Sequence, residues 1–189
     1  MDREFYKKFL KFVKFYMNTF YKIDESGIEN IPKDTNYLLA GNHLNILDSW
    51  VLMSLLDEDI LRFMVDDKLY RYKLWEDFFT KLGTFPINQK IFDVAAIKNA
   101  IKLLKDNEKV VIFPEGKTHK VIEAVPFKRG VAKIATMANR PLVPFGINGN
   151  YNPFSKISIT FGKPIDLKSI PKDEWDITLE ETVRTLEKR

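Results

Sequence analysis

The chain has 189 residues, of which 45% are hydrophobic, and this length and composition predict a single domain with a substantial core. It contains no cysteine, which excludes disulfides, thiolate metal sites and a cysteine nucleophile. The formal net charge is +4, and residues 1–22, with six bases and two acids, account for all of the excess. Residues 23–189 contain equal numbers of basic and acidic residues. This argues against a nucleic-acid-binding protein, because domains that bind along a phosphate backbone carry basic charge on their folded surface.

The first segment, residues 3–22, predicts an amphipathic helix with a polar stripe opposite an apolar, aromatic half. The stripe consists of Lys7, Lys11, Lys14, Asn18 and Lys22. Lysines inside the apolar stretch exclude a membrane span and a cleavable signal sequence. A basic, aromatic helix of this kind suits an anionic membrane surface; the alternative is that its apolar half packs on the domain.

We therefore expect residues 1–24 to form a membrane-surface helix and residues 25–189 to form the domain. With no targeting segment visible, the expected location is peripheral, on the cytoplasmic face of a membrane.

After a polar stretch predicted to be a connector, residues 23–36, strand-like and helix-like segments alternate. Strands are predicted over residues 37–40, 61–65, 84–87, 109–113, 142–147 and 157–161. Helices are predicted over residues 49–56, 69–81, 91–105, 131–138 and 178–188. This alternation predicts an α/β fold, a single layered domain with a mostly parallel central sheet flanked by helices.

The predicted turn between the first strand and its helix carries His43 and, five positions later, Asp48. Imidazole titrates near neutrality, so it can accept a proton from a hydroxyl, and a carboxylate on its far nitrogen orients it. At about 100° per residue the two side chains would diverge on one helix, so His43 must precede the helix if they are to meet. In the alternative interpretation Asp48 only caps the helix and His43 is a surface residue.

Four segments in order across residues 41–147 resemble the glycerolipid acyltransferase family, best known for the 1-acylglycerol-3-phosphate acyltransferases. The first is Asn42-His43-x-x-x-x-Asp48, and the second is residues 82–90, LGTFPINQK. The third, residues 113–119, reads FPEGKTH and is similar to the family's F-P-E-G-T-R-S. The fourth combines residues 127–131, FKRGV, with residues 141–147, PLVPFGI.

Two of these segments depart from the family pattern. Gln89 stands where the second segment has an arginine, and Lys117 and Thr118 stand where the third has threonine and arginine. The family's arginines are associated with the acceptor's phosphate, and a guanidinium binds phosphate bidentately in a way that glutamine cannot. Either nearby lysines restore the charge or the acceptor has a different headgroup.

The resemblance implies transfer of a fatty acyl group from a thioester, on coenzyme A or acyl carrier protein, to a lysophospholipid hydroxyl. His43 would be the general base, a role worth about 10² to 10⁴ in rate, and Asp48 would orient it. The expected substrate-binding residues are Asn42, Gln89, Lys90, Glu115, Gly116, Lys117, Thr118, Lys128 and Arg129. Lys128 and Arg129 would hold a phosphate together with the N–H groups that open the following helix, and Glu115 would be exposed at its turn. No metal or cofactor is expected; a non-catalytic lipid-binding protein is the alternative from another class.

Overall fold

The computed structural model describes residues 1–118 and 126–188. Within these residues the strands are β1 (Lys22–Ser26), β2 (Leu38–Gly41), β3 (Leu61–Asp66), β4 (Phe85–Ile87), β5 (Lys109–Ile112), β6 (Leu142–Gly149) and β7 (Lys156–Phe161). The α-helices are α1 (Arg3–Phe20), α2 (Asp48–Leu55), α3 (Lys73–Leu82), α4 (Val94–Lys105), α5 (Val131–Ala138) and α6 (Trp175–Glu187).

The described strands form one sheet in the order β1-β7-β6-β2-β5-β3-β4. Every neighbouring pair is parallel except β6 and β7, which confirms the predicted mostly parallel α/β sheet. The central strands read as continuous apolar runs because both of their faces are covered. Helices α1 and α2 pack on one face, and α4, α5 and α6 pack on the other.

Strand β1 takes up the first four residues of the stretch predicted to be a connector, so that prediction is wrong there. The strand pairs with β7 at the edge of the sheet, and of its five residues only Ile23 is not exposed. An edge strand buries little side-chain surface, so its sequence KIDES lacks the hydrophobic alternation by which strands are recognised.

Helix α1 joins the main core through Tyr6, Leu10, Val13 and Met17, which are all buried. The packing alternative is therefore confirmed for one stripe of the helix. A second stripe stays in solvent, where Phe12 and Phe15 are 51% and 70% exposed. None of the described helices combines the length and the apolarity that crossing a bilayer demands.

The topology gathers several turns at one edge of the sheet. Strands β2 and β5 are parallel neighbours, so the turns that follow Gly41 and Ile112 emerge side by side. Strand β4 ends nearby, since it runs parallel to β3, which itself pairs with β5. Ligands of open α/β sheets bind beyond the carboxyl ends of the strands, which makes this edge the place to look for a site.

Candidate active site

His43 and Asp48 meet at the carboxyl end of β2. The His43 Nδ1 atom lies 2.8 Å from Asp48 Oδ2. His43 precedes α2 and Asp48 is the helix's first residue, which is the arrangement that the five-residue spacing required. A carboxylate only accepts hydrogen bonds, so Nδ1 is the donor and Nε2 is left as the basic atom of the ring.

The carboxylate of Asp48 is fully buried and accepts several hydrogen bonds. Besides the imidazole, Oδ2 accepts the backbone N–H groups of Leu44 and Asn45, at 2.7 and 2.9 Å. Oδ1 accepts the phenol O–H of Tyr151, a residue of the loop after β6. The N-cap position belongs to Leu47, so the interpretation of Asp48 as a simple helix cap is wrong.

The imidazole of His43 stacks on the ring of Phe113, with ring centroids 4.0 Å apart and planes 16° from parallel. The stack and the bond to Asp48 together fix the ring in two directions. The side chain remains 18% exposed and borders the cavity described below. A histidine held in this way can take a proton from a group in the cavity through Nε2.

Glu115 differs from the expectation of an exposed carboxylate, because it is only 6% exposed and does not border the cavity. Its Oε2 accepts the backbone N–H of His43 at 2.8 Å, and its Oε1 accepts Nη1 of Arg184 at 2.9 Å. The Glu115 carboxylate thus links the turn after β5 to His43 in the turn after β2 and to Arg184 of α6. Glu115 supports the position of His43 from behind.

Asn42 also lies away from the cavity, fully buried, although it was predicted to bind substrate. Its amide makes two hydrogen bonds of 2.7 Å with Ile147, one to the carbonyl and one from the N–H. This pair ties the end of β2 to β6, its parallel neighbour. The side chain therefore stabilises the strand ends from which His43 projects.

A cavity of about 1150 Å³ opens beside His43. Its walls are mostly apolar and come from helices α1 to α4, from strands β3 and β4 and from the loop before α4. They include Phe9, Trp50, Met53, Phe63, Trp75, Phe78, Leu82, Ile87, Ile91, Phe92 and Ile97. Ligand sites are commonly apolar cavities of about 300 to 1,000 Å³ with a few polar groups. The cavity is large enough for a long alkyl chain and a polar group together.

Five of the residues that border the cavity form a set that we call the cationic corner: Gln89, Gly116, Lys117, Lys128 and Arg129. Thr118 borders the cavity as well. Gly116 adopts φ +72°, and a Cβ there would lie 2.8 Å from Lys128 Nζ and 3.4 Å from Gln89 Oε1. Three separate segments therefore converge on Gly116, whose missing side chain leaves room for the lysine.

Two backbone N–H groups at the start of α5 already have an acceptor. The Gly130 N–H donates to Asp176 Oδ2 at 2.9 Å, and the Ala132 N–H lies 3.4 Å from Asp176 Oδ1. A carboxylate from α6 thus already occupies the anion-binding end of the helix. These two N–H groups are therefore not available to the predicted phosphate, and Lys128 and Arg129 remain as the cations of this turn.

Two further residues of the sequence motifs lie elsewhere. Lys90 borders a smaller, adjoining pocket of about 190 Å³ together with Asp66, Asp67, Lys68, Asn88 and Gln89. His119, the last residue of the third segment, lies outside the described residues. Among residues 1–118 and 126–188, no group of three or more potential metal ligands occurs.

Sequence reasoning missed Tyr151, Asp176 and Arg184, which hold the site together. Each contacts it from a loop or helix more than 40 residues away in sequence, and none belongs to a motif. Tyr151 sits in a polar turn, and the other two lie on a terminal helix with an ordinary amphipathic pattern. No local signal in the sequence distinguishes them.

Comparison with known proteins gives consistent results. A family model described as Acyltransferase matches residues 22–148. The 1-acyl-sn-glycerol-3-phosphate acyltransferase of Bacillus subtilis is 32% identical over 77% of this chain and 76% of that protein. The enzyme of the same name from Streptococcus pneumoniae is 27% identical over 83% of this chain and 61% of that protein.

A solved structure agrees at the level of the fold. The crystal structure of the 1-acyl-sn-glycerophosphate (LPA) acyltransferase PlsC from Thermotoga maritima superposes with a TM-score of 0.75 at 23% identity. The match covers 100% of this chain and 83% of that one. The family model spans well over half of the sequence, including His43, Asp48 and Glu115. The chain therefore belongs to the acyltransferase family and is an O-acyltransferase.

Proposed function

We propose that this enzyme transfers a fatty acyl group from a thioester to the hydroxyl of a lysophospholipid, 1-acylglycerol-3-phosphate being the acceptor that its relatives' names indicate. The observation that carries the proposal is the His43–Asp48 pair at the border of a large apolar cavity that also holds the cationic corner. The cavity offers room for acyl chains, and the lysines offer charge for a phosphate.

The residues support a direct transfer. His43 Nε2 takes the proton of the acceptor hydroxyl as the oxygen forms its bond to the thioester carbonyl carbon. Asp48 stabilises the imidazolium that results, through the bond to Nδ1. When the tetrahedral intermediate collapses, the carbon–sulfur bond breaks and the thiolate receives the proton from the imidazolium. The products are the acylated lipid and the free thiol of coenzyme A or acyl carrier protein.

Gln89 favours a second acceptor class. In this chain the position of the family's arginine carries a neutral side chain, and Lys128 lies beside it at Gly116. A lysine provides a point charge, whereas an arginine forms two parallel hydrogen bonds to one phosphate group. A lysolipid with a different headgroup is therefore the alternative acceptor.

We also propose that the exposed stripe of α1 holds the enzyme on a membrane surface. Phe12 and Phe15 project into solvent, and Lys7 and Lys11 lie exposed on the same helix. Several exposed apolar residues also border the cavity, namely Ile46, Trp75, Ile91 and Phe92. Aromatic rings and lysines together suit an anionic lipid interface.

The acyl transfer is tested on mixed liposomes that carry a panel of lysolipids, including lysophosphatidate, with acyl-coenzyme A and acyl carrier protein as separate donors. Lipid mass spectrometry compares the wild type with His43→Ala. We expect product from lysophosphatidate, and a loss of about 10² to 10⁴ in rate in the variant. Near-normal turnover by a folded His43→Ala protein would contradict the mechanism, and product only from another lysolipid would favour the alternative acceptor.

Membrane binding needs point substitutions, since deleting residues 1–22 would remove four core side chains of α1. The double variant Phe12→Ser with Phe15→Ser should sediment with anionic liposomes much less than the wild type. The matched control is Met137→Ser, because Met137 is 53% exposed on α5, on the other face of the sheet. An equal loss of liposome binding in the control, or no loss in the double variant, would exclude this helix as the membrane contact.

A further inference from the structure

The Asp48 carboxylate is fully buried behind His43, and its Oδ1 atom is held by one side chain. Oδ2 has three donors, the imidazole and two backbone N–H groups. Within residues 1–118 and 126–188, the donor recorded for Oδ1 is the phenol of Tyr151. A buried carboxylate depends strongly on each of its hydrogen bonds, because no water replaces a lost one.

Tyr151 is itself held rigidly. Its loop joins β6 to β7, and the Phe154 N–H donates to the carbonyl of Phe20 at 2.6 Å. The Tyr21 phenol donates to the carbonyl of Tyr151 at 3.1 Å, and the two rings make an edge contact with centroids 6.1 Å apart. The end of α1 therefore fixes the loop from which the Tyr151 side chain reaches Asp48.

We infer that Tyr151 is a positioning residue of the catalytic pair: its O–H fixes Oδ1 of Asp48, so that Oδ2 stays aligned with His43 Nδ1. This inference rests on the proposed function for its kinetic consequences. Burial, followed by the charge of Asp48, raises the pKa of the Tyr151 phenol far above its usual range, so the group stays protonated and remains a donor. Tyr151 is not among the residues that border the cavity, and it acts through Asp48.

The direction of the pH effect follows from the charges around the imidazole. The titratable groups that face the pair are Asp48 on α2, Tyr151 and Glu115 from their loops, and Arg184 of α6, which is paired with Glu115. The Tyr151 O–H draws part of the carboxylate's charge toward Oδ1. Without it, Oδ2 carries more charge and stabilises the imidazolium, so the neutral base form of His43 predominates only at a higher pH.

The first test is Tyr151→Phe, which removes one oxygen atom. We expect kcat to fall about tenfold, a typical loss when a hydrogen-bond partner that orients a functional side chain is removed. We also expect the acid limb of the kcat/KM profile to move to higher pH. The matched control is Tyr37→Phe, since Tyr37 is buried and donates to Asp59, and it lies at the opposite end of β2. Both variants should lower the melting temperature, but the control should keep the wild-type acid limb.

A second substitution keeps the ring and the oxygen. Incorporating 3-fluorotyrosine at position 151 strengthens the donor, so the acid limb should move to lower pH while the protein stays folded. Opposite shifts in the two variants would establish the inference. A folded Tyr151→Phe protein with wild-type kcat and an unmoved acid limb would overturn it, and so would an equal loss of kcat in Tyr37→Phe.

A readout that needs no acyl transfer separates this inference from the proposed function. The chain has two histidines, so the ¹⁵N-histidine NMR spectrum holds two imidazoles, and His43→Ala identifies the relevant one. The midpoint of the His43 titration should be higher in Tyr151→Phe than in the wild type. If the wild type transfers no acyl group but this shift occurs, the proposed function fails and the positioning role stands; an unmoved midpoint contradicts the role.

Discussion

Two polar regions of the cavity are built in opposite ways. The pair formed by His43 and Asp48 is partly or fully buried, and its hydrogen bonds run to groups of the protein itself. In the cationic corner, Lys117, Lys128 and Arg129 are all exposed, and the described residues offer their side chains no ion pair. One region is held before any ligand arrives, whereas the other keeps its charges available.

The difference matches what each region has to do. Proton transfer depends on a geometry held within a fraction of an ångström, so rigid neighbours such as Phe113 and Tyr151 contribute to it. Recognition of a headgroup depends on cations that remain available to pair with the ligand, and exposed lysines can adapt their rotamers to that ligand. Substitutions in the first region should therefore change kcat, and substitutions in the second should change KM.

Asp48→Asn should remove most of the turnover. Asparagine has one oxygen in place of two and cannot accept from Tyr151, His43 and two backbone N–H groups together. The imidazole then loses its orientation and the charge that stabilises its protonated form. We expect kcat to fall at least about 100-fold with KM nearly unchanged, measured by steady-state acyl transfer.

The control for that experiment is Asp59→Asn, because Asp59 also accepts a tyrosine O–H but lies before β3, away from the cavity. It should lose stability and keep its kcat. A similar kcat in both variants would remove the distinction between a catalytic and a structural carboxylate.

Glu115→Gln tests the support behind the pair. It removes the charge opposite Arg184 and weakens the bond that holds the His43 backbone. Glu187 and Glu180 lie 3.3 and 3.8 Å from the Arg184 guanidinium and still compensate its charge in the variant. The loss of stability should therefore be smaller than for an isolated buried ion pair. We expect about 2 kcal/mol less stability in urea unfolding and a fall in kcat smaller than that of Asp48→Asn.

The exposed Glu174→Gln is the matched control, since it changes a helix-flanking carboxylate in solvent. Both its unfolding midpoint and its kcat should stay near the wild type. A stability loss in Glu115→Gln no greater than in this control would show that the link to Arg184 adds little.

The two regions also differ in how far the sequence predicts them. The central strands and the helices on both faces are predicted from the sequence, because burial produces continuous apolar runs in the strands and apolar periodicity in the helices. His43 and Asp48 lie in one turn, so a local motif reveals them. The groups that complete the site come from afar: Tyr151 and Arg184 reach it only through the register of β6 and the packing of α6. The same long-range packing buries Asn42 and Glu115, which the motifs alone placed toward the substrate.

Lys128→Ala should act on KM. The lysine borders the cavity beside Gly116, and its side chain is exposed, so its removal leaves the fold intact. For a phosphate-bearing acceptor, loss of one charge-assisted hydrogen bond should raise KM about tenfold with kcat retained. Lys133→Ala, an exposed lysine of α5 outside the cavity, is the control and should leave KM unchanged. A loss of kcat rather than a rise in KM would show that the two regions are not separable.

Gln89→Arg should change KM by only a few fold, and it tests directly whether the cationic corner binds a phosphate. The side-chain oxygen of Gln89 faces Gly116 close to Lys128, so an arginine there adds two parallel donors beside the existing cation. If the acceptor carries a terminal phosphate, KM for lysophosphatidate should fall by a few fold at constant kcat, and the gain should shrink in high salt. The neutral control Gln89→Met keeps the length without the charge and should not lower KM. If Gln89→Arg leaves KM for lysophosphatidate unchanged while KM for another lysolipid rises, the glutamine selects that other headgroup, because the added cation then opposes the native acceptor.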